Sequence, residues 1–166
     1  MNKSITIGSL VIIILLLIIP AITLASVTDL SLISNPTSGP NQNIFLYTGP
    51  NIAGDNYAFG NCTWWVAYLK IQEGKPIPNS WGNALTWATR ALNDGYVVDQ
   101  NPSIGSIMQD PNAQGGEGHV ALVESLDTYG NWTISEMNRV GFDEVDTRTI
   151  LASATKSYFF IHDRGL

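Results

Sequence analysis

Apolar and polar positions divide this chain into three stretches of different texture. The first is an unbroken apolar run, Leu10–Ile19, preceded by a single cation at Lys3 and followed by Pro20-Ala21-Ile22-Thr23-Leu24-Ala25. The second, residues 31–43, reads SLISNPTSGPNQN. It has neither helical nor alternating periodicity, and its Ser, Asn, Pro and Gly content predicts a flexible linker. The third stretch carries periodic signals throughout. CTWWVAYLKIQ, Cys62–Gln72, places Trp65, Tyr68, Leu69 and Gln72 at helical spacing, with Asn61 as a natural N-cap and Gly74 and Pro76 as a stop. NALTWATRALN, 83–93, puts Ala84, Trp87, Ala88 and Ala91 on one face and ends before Gly95. The pattern then changes to period two. A short strand is predicted at 105–109, then HVALVESL at His119–Leu126, WTISEMN at 132–138 and SYFFIH at 157–162. Residues 127–131, with Gly130, have the length of a hairpin loop. Helices first and antiparallel strands afterwards predict an α+β fold, with N-terminal helices packed on an antiparallel sheet. The expected organisation is a hydrophobic leader helix at 1–25, a linker at 26–45 and one domain at 46–166.

The leader has the layout of a secretory signal peptide, with cleavage after Ala25. It also has nearly the ~20 apolar residues of a membrane anchor, with Lys3 on the cytoplasmic side. Both readings put the domain outside the cytoplasm. Hydrophobic residues at 45% and charged residues at 13% are the composition of a chain with a packed core. A formal net charge of -6 and no basic run exclude sequence-independent binding to nucleic acid. Export also changes the meaning of the single cysteine, Cys62. No intramolecular disulfide can form, so this residue is a buried filler, an intermolecular crosslink or a free thiol.

Position favours the thiol. Cys62 falls in the first turn of the predicted helix, where unpaired N–H groups and the helix dipole favour a thiolate and can hold an oxyanion. A nucleophile of this kind needs a base. Of the two histidines, His119 opens a strand directly after Gly115-Gly116-Glu117-Gly118, whereas His162 stands near the C-terminal end and reads as a satisfied surface residue. On the next strand Trp132, Ile134, Glu136 and Asn138 share a face. If the hairpin sets this face beside that of His119, Ala121, Val123 and Ser125, either Glu136 or Asn138 can accept the imidazole N–H and fix its tautomer.

Four blocks occur in order: Phe59-Gly60-Asn61-Cys62-Thr63-Trp64-Trp65-Val66-Ala67, Trp81-Gly82-Asn83-Ala84, Gly118-His119-Val120-Ala121-Leu122-Val123-Glu124-Ser125 and Ile134-Ser135-Glu136-Met137-Asn138. Together they resemble the CHAP family, the cysteine, histidine-dependent amidohydrolases and peptidases, over about 57–148. The resemblance implies a papain-like fold and hydrolysis of peptidoglycan amide bonds, as an N-acetylmuramoyl-L-alanine amidase or an endopeptidase. It implies Cys62 as nucleophile, His119 as base and Glu136 or Asn138 as the orienting group. Asn61 is a candidate for the oxyanion site. Trp81 and Asn83 resemble a motif near the substrate groove, with turn and core packing the expected place of Trp81. Some family members bind calcium in an acidic loop before the cysteine. Here that region is Gly54-Asp55-Asn56-Tyr57, with one carboxylate, so neither calcium nor any other cofactor is expected. The expected partner is bacterial peptidoglycan, with no nucleic acid, and with a membrane if the leader is retained. No wall-binding domain is expected after the catalytic one. Two competing expectations are a membrane-anchored component of a phage or conjugation assembly that opens the wall locally, and a CHAP-shaped module that binds wall peptides without cutting them. Asn61-Cys62-Thr63 and Asn131-Trp132-Thr133 match a glycosylation pattern, but a glycan on Asn61 would block the nucleophile, so the match is read as chance.

Overall fold

The computed structural model describes residues 44–165; the apolar leader and the linker up to residue 43 lie outside the described residues. Seven strands form one antiparallel sheet: β1 (Phe45–Leu46), β2 (Val97–Asp99), β3 (Ile107–Asp110), β4 (His119–Leu126), β5 (Trp132–Met137), β6 (Glu144–Ile150) and β7 (Phe159–His162). Their order is β1-β6-β5-β4-β3-β7-β2. Two helices precede most of the sheet in sequence, α1 (Cys62–Gln72) and α2 (Trp87–Asn93). The α+β expectation therefore holds. Among the described residues, no helix is long and apolar enough to cross a membrane.

α1 begins and ends at the predicted residues, with Glu73 as C-cap and Gly74 following at φ +72°. Its buried surface is wider than the predicted stripe. Trp64, Trp65, Val66, Ala67 and Lys70 are all buried, while Gln72 is exposed. The reason is the chain before it. Tyr47 and Phe59 pack edge-on against Trp64, at ring separations of 5.2 and 4.7 Å, and help to bury it. On its other side α1 meets Val120, Leu122, Met137 and Ile161 of the central strands. Trp65 Nε1 donates to Ser135 Oγ at 2.8 Å and so fixes the helix on β5. The fully buried Lys70 is matched by Glu73 at 2.6 Å, Asp163 at 2.7 Å and the Gly105 carbonyl at 3.1 Å. A buried ammonium needs such partners.

The predicted helix over 83–93 is a 3-10 turn, Ala84–Thr86, that runs into α2. Asn83 Oδ1 accepts from the Ala84 N–H, and Trp81 and Trp87 pack edge-on at 5.5 Å. β4 and β5 match their predicted places, joined through 127–131, with a bulge at Glu124 that breaks the expected alternation before Ser125. β2 and β6 were not expected from hydrophobic periodicity. β6 reads EVDTRTI, and two of its inward positions, the buried Asp146 and the half-buried Arg148, are held by ion pairs rather than as apolar side chains, so the period-two apolar signal is missing. The sheet also takes in Phe45, at the end of the expected linker, which pairs with Val145.

Candidate active site

Cys62 is the first residue of α1, nearly buried and unpaired. The approach to it is shaped by Gly60, at φ +84°, where an added Cβ would stand 2.4 Å from the Phe142 ring. The Asp143 N–H donates to the Gly60 carbonyl at 3.2 Å, which ties the β5–β6 loop to this approach. Asn61 holds the N-cap position with extended backbone, and its carbonyl accepts from the Trp65 N–H at 3.0 Å. Its side chain does not cap the helix as expected. It donates to the Ala58 carbonyl and accepts from Asn138 Nδ2 at 2.9 Å. The N–H groups of the first turn are therefore left without a side-chain cap.

His119 opens β4, and the turn before it is forced by Gly118, at φ +76°. A Cβ there would meet the backbone nitrogen of Leu85 at 2.5 Å, so glycine is needed both for the backbone angle and for the close approach. Leu85 N–H donates to the Glu117 carbonyl at 2.9 Å, and Asn83 Nδ2 donates to the Glu117 carboxylate, which fixes this loop on the 3-10 turn. His119 is 2% exposed. Its Nε2 donates to Glu136 Oε2 at 2.8 Å. Its other nitrogen, Nδ1, is buried with no hydrogen-bond partner. Burial pulls the imidazole pKa down, but the neighbouring Cys62 and Glu136 side chains outweigh it, so the pKa rises to about 9.

Glu136 is fully buried. Burial pushes its pKa up, but His119 and Arg148 more than compensate and hold it below the usual carboxylate range. Arg148 Nε stands 2.5 Å and Arg139 Nε 2.9 Å from Oε1. Asp146 lies directly opposite Glu136 in the β5–β6 register, fully buried, with Arg139 Nη2 at 3.2 Å. Its pKa is raised by burial and then by the Glu136 charge.

The fold thus joins three of the residues expected from sequence, Cys62, His119 and Glu136, into one line. Asn138 is placed elsewhere. At φ +62° it has left the strand geometry, and its side chain is joined to Asn61. Trp81 is core: it is fully buried and its Nε1 donates to Asp94 Oδ2 at 2.7 Å. Asn83 caps the 3-10 turn and clamps Glu117. His162 is satisfied on both nitrogens, by Ser103 and Asp99, each at 2.9 Å. Arg139, Arg148 and Asp146 were not foreseen. The signal available for them was Glu136 itself, since a carboxylate buried on a core face needs a cation. Asp55, the carboxylate of the loop before Cys62, is buried. Its Oδ1 accepts from the Tyr57 N–H at 2.9 Å while its Oδ2 has no partner, and burial raises its pKa to about 6. Among the described residues, no group of three or more His, Cys, Asp or Glu side chains is placed to share a metal ion.

Known proteins resemble this chain in sequence and in fold. The chain is 44% identical over 127 residues to the probable autolysin SsaALP of Staphylococcus aureus, which covers 76% of this chain and 46% of that protein. It is 46% identical over 107 residues to the N-acetylmuramoyl-L-alanine amidase sle1 of Staphylococcus saprophyticus, covering 64% of this chain and 32% of the relative. The matched region thus spans half or less of the length of these curated relatives. A crystal structure of an N-acetylmuramoyl-L-alanine amidase from Staphylococcus aureus superposes with a TM-score of 0.64 at 30% identity, over 72% of this chain and 35% of that one. The model of the CHAP domain matches residues 52–138, which include Cys62, His119 and Glu136, and the chain belongs to the CHAP domain family.

Proposed function

We propose that this protein is a cysteine amidohydrolase that cuts amide bonds of bacterial peptidoglycan outside the cytoplasm. The observation that carries the reading is the buried line from Cys62 through His119 to Glu136, in a chain whose relatives are named autolysin and N-acetylmuramoyl-L-alanine amidase. In the proposed cycle the Cys62 thiolate attacks the scissile carbonyl carbon. The oxyanion is held by backbone N–H groups at the start of α1, which no side chain caps. His119, kept as imidazolium by its neighbours, gives its proton to the leaving amine as the C–N bond breaks. The neutral imidazole then takes a proton from water, which attacks the thioester and releases the acid and the free thiol. Glu136 holds the ring through Nε2, so that Nδ1 is the nitrogen that exchanges protons beside Cys62. Location outside the cytoplasm is supported by the apolar leader and by relatives named staphylococcal secretory antigens.

The test is clearing of a peptidoglycan gel by the full chain. Cys62→Ser and His119→Ala are expected to abolish clearing while the fold is kept, and undiminished clearing by either one refutes the mechanism. Mass spectrometry of the digested wall then assigns the bond. A new N-terminal alanine on the stem peptide marks an amidase, and a terminus within the stem or crossbridge marks an endopeptidase.

A further inference from the structure

The site does not end at Glu136. Four ionised side chains meet behind His119: Glu136 on β5, Asp146 and Arg148 on β6, and Arg139 in the loop between these strands. Asp146 faces Glu136 across the ladder, and like charges directly opposite each other are unfavourable. The two arginines remove the conflict in different ways. Arg139 bridges the pair, to Glu136 Oε1 at 2.9 Å and Asp146 Oδ2 at 3.2 Å. Arg148 stands two residues along β6 from Asp146, on the same face, and of the two carboxylates pairs with Glu136 alone. Its Nε is 2.5 Å from Oε1 and its Nη2 is 3.4 Å from Oε2. A carboxylate torsion is broad when left to itself. A guanidinium that reaches both oxygens sets the carboxylate plane.

We propose that Arg148 is a positioning residue for the reaction at Cys62, fixing the plane of Glu136 so that Oε2 stays aimed at His119 Nε2. This rests on the catalytic reading of Cys62, His119 and Glu136 given above. The charged or titratable groups around Glu136 are His119 from β4, Asp146 and Arg148 from β6, and Arg139 from the loop; Cys62 of α1 acts through His119, and Tyr158 touches Arg148. A purely structural cluster would need Arg148 only for charge balance, so a variant that restores the balance without restoring the guanidinium separates the two roles.

The experiment uses the full chain with Cys62 as its single cysteine. Two quantities are read: kcat and KM on soluble peptidoglycan fragments, and the rate of Cys62 alkylation by iodoacetamide as a function of pH. Arg148→Gln is expected to lower kcat by about 10- to 100-fold with KM within about threefold, and to slow alkylation near neutral pH by roughly tenfold. Arg148→Lys should recover part of both. Asp146→Asn combined with Arg148→Gln keeps the cluster neutral, and should regain thermal stability without regaining kcat or the alkylation profile. Wild-type rates in that double variant, or in folded Arg148→Gln, would overturn the proposal. If Arg148→Gln alone does not fold, the double variant decides. His119→Ala separates the two readings. If it leaves the alkylation profile unmoved, the catalytic reading itself has failed; if it moves the profile and Arg148→Gln does not, only the role of Arg148 has failed.

Discussion

Replacing Glu136 by Gln removes one charge and leaves the shape of the site almost unchanged. The imidazolium of His119 is favoured by its surroundings through a rise in pKa from 6.5 to about 9, which corresponds to about 3 kcal/mol. Burial opposes this rise, and Cys62 and Glu136 supply it. Without the carboxylate charge, burial stays and Cys62 alone is left to oppose it. The pKa of His119 should therefore fall from about 9 toward its ordinary value. A larger share of the ring would be neutral at neutral pH, and protonation of the leaving amine would slow, lowering kcat by about 10- to 100-fold. The sign for stability follows from linkage. A histidine whose pKa is raised on folding contributes stability that is fully present below about 6.5 and is lost as the pH rises through about 9. Urea titrations of the wild type should lose stability across that window, and those of Glu136→Gln should lose less there. The assay is a pH profile of kcat on peptidoglycan fragments beside urea midpoints at the same pH values. An alkaline limb of the profile that stays where the wild type has it would refute the reasoning, because His119 would then not owe its proton to Glu136.

Other outcomes follow from local geometry. Gly118→Ala places a Cβ 2.5 Å from the Leu85 backbone at φ +76°, whereas Gly115→Ala at φ +66° meets nothing within 4 Å, so calorimetry should show the first far more destabilised than the second, with about 1–2 kcal/mol for the second. Lys70→Met exchanges a buried ammonium for an apolar chain of similar volume and frees Glu73 and Asp163 to solvent, so it should be near neutral, within about 1–2 kcal/mol. Asp163→Ala instead leaves the buried ammonium with Glu73 as its one carboxylate partner, and should cost more in the same urea titrations. Asp55→Asn removes a charge whose pKa burial has raised to about 6, so it should raise the melting temperature above that pH and have no such effect well below it. His162→Ala should leave clearing of peptidoglycan gels unchanged, since both its nitrogens are engaged by Ser103 and Asp99.

How much was legible depended on whether a local signal existed. α1, β4 and β5 lie within a residue of their predicted bounds, because capping, glycine stops and apolar periodicity act over a few neighbouring residues. β6 was not legible, because its inward side chains are charged and find their partners on other elements. The choice between Glu136 and Asn138 likewise had no local answer. Both lie on one face of an ideal strand, and only the left-handed turn at Asn138 separates them.

By itself the sequence determined the class of fold and offered Cys62 and His119, with either Glu136 or Asn138, as candidate residues of the site, since the residue types able to attack an amide are few and the chain offers one cysteine and two histidines. Tertiary structure decided what surrounds them. It gave Glu136 to His119 and Asn138 to Asn61, buried Trp81 in the core, and set Arg148, Arg139 and Asp146 behind the carboxylate. The physical reason is that a buried charge is stable only through partners at about 3 Å, and those partners are chosen by strand register and close packing rather than by nearness in the chain.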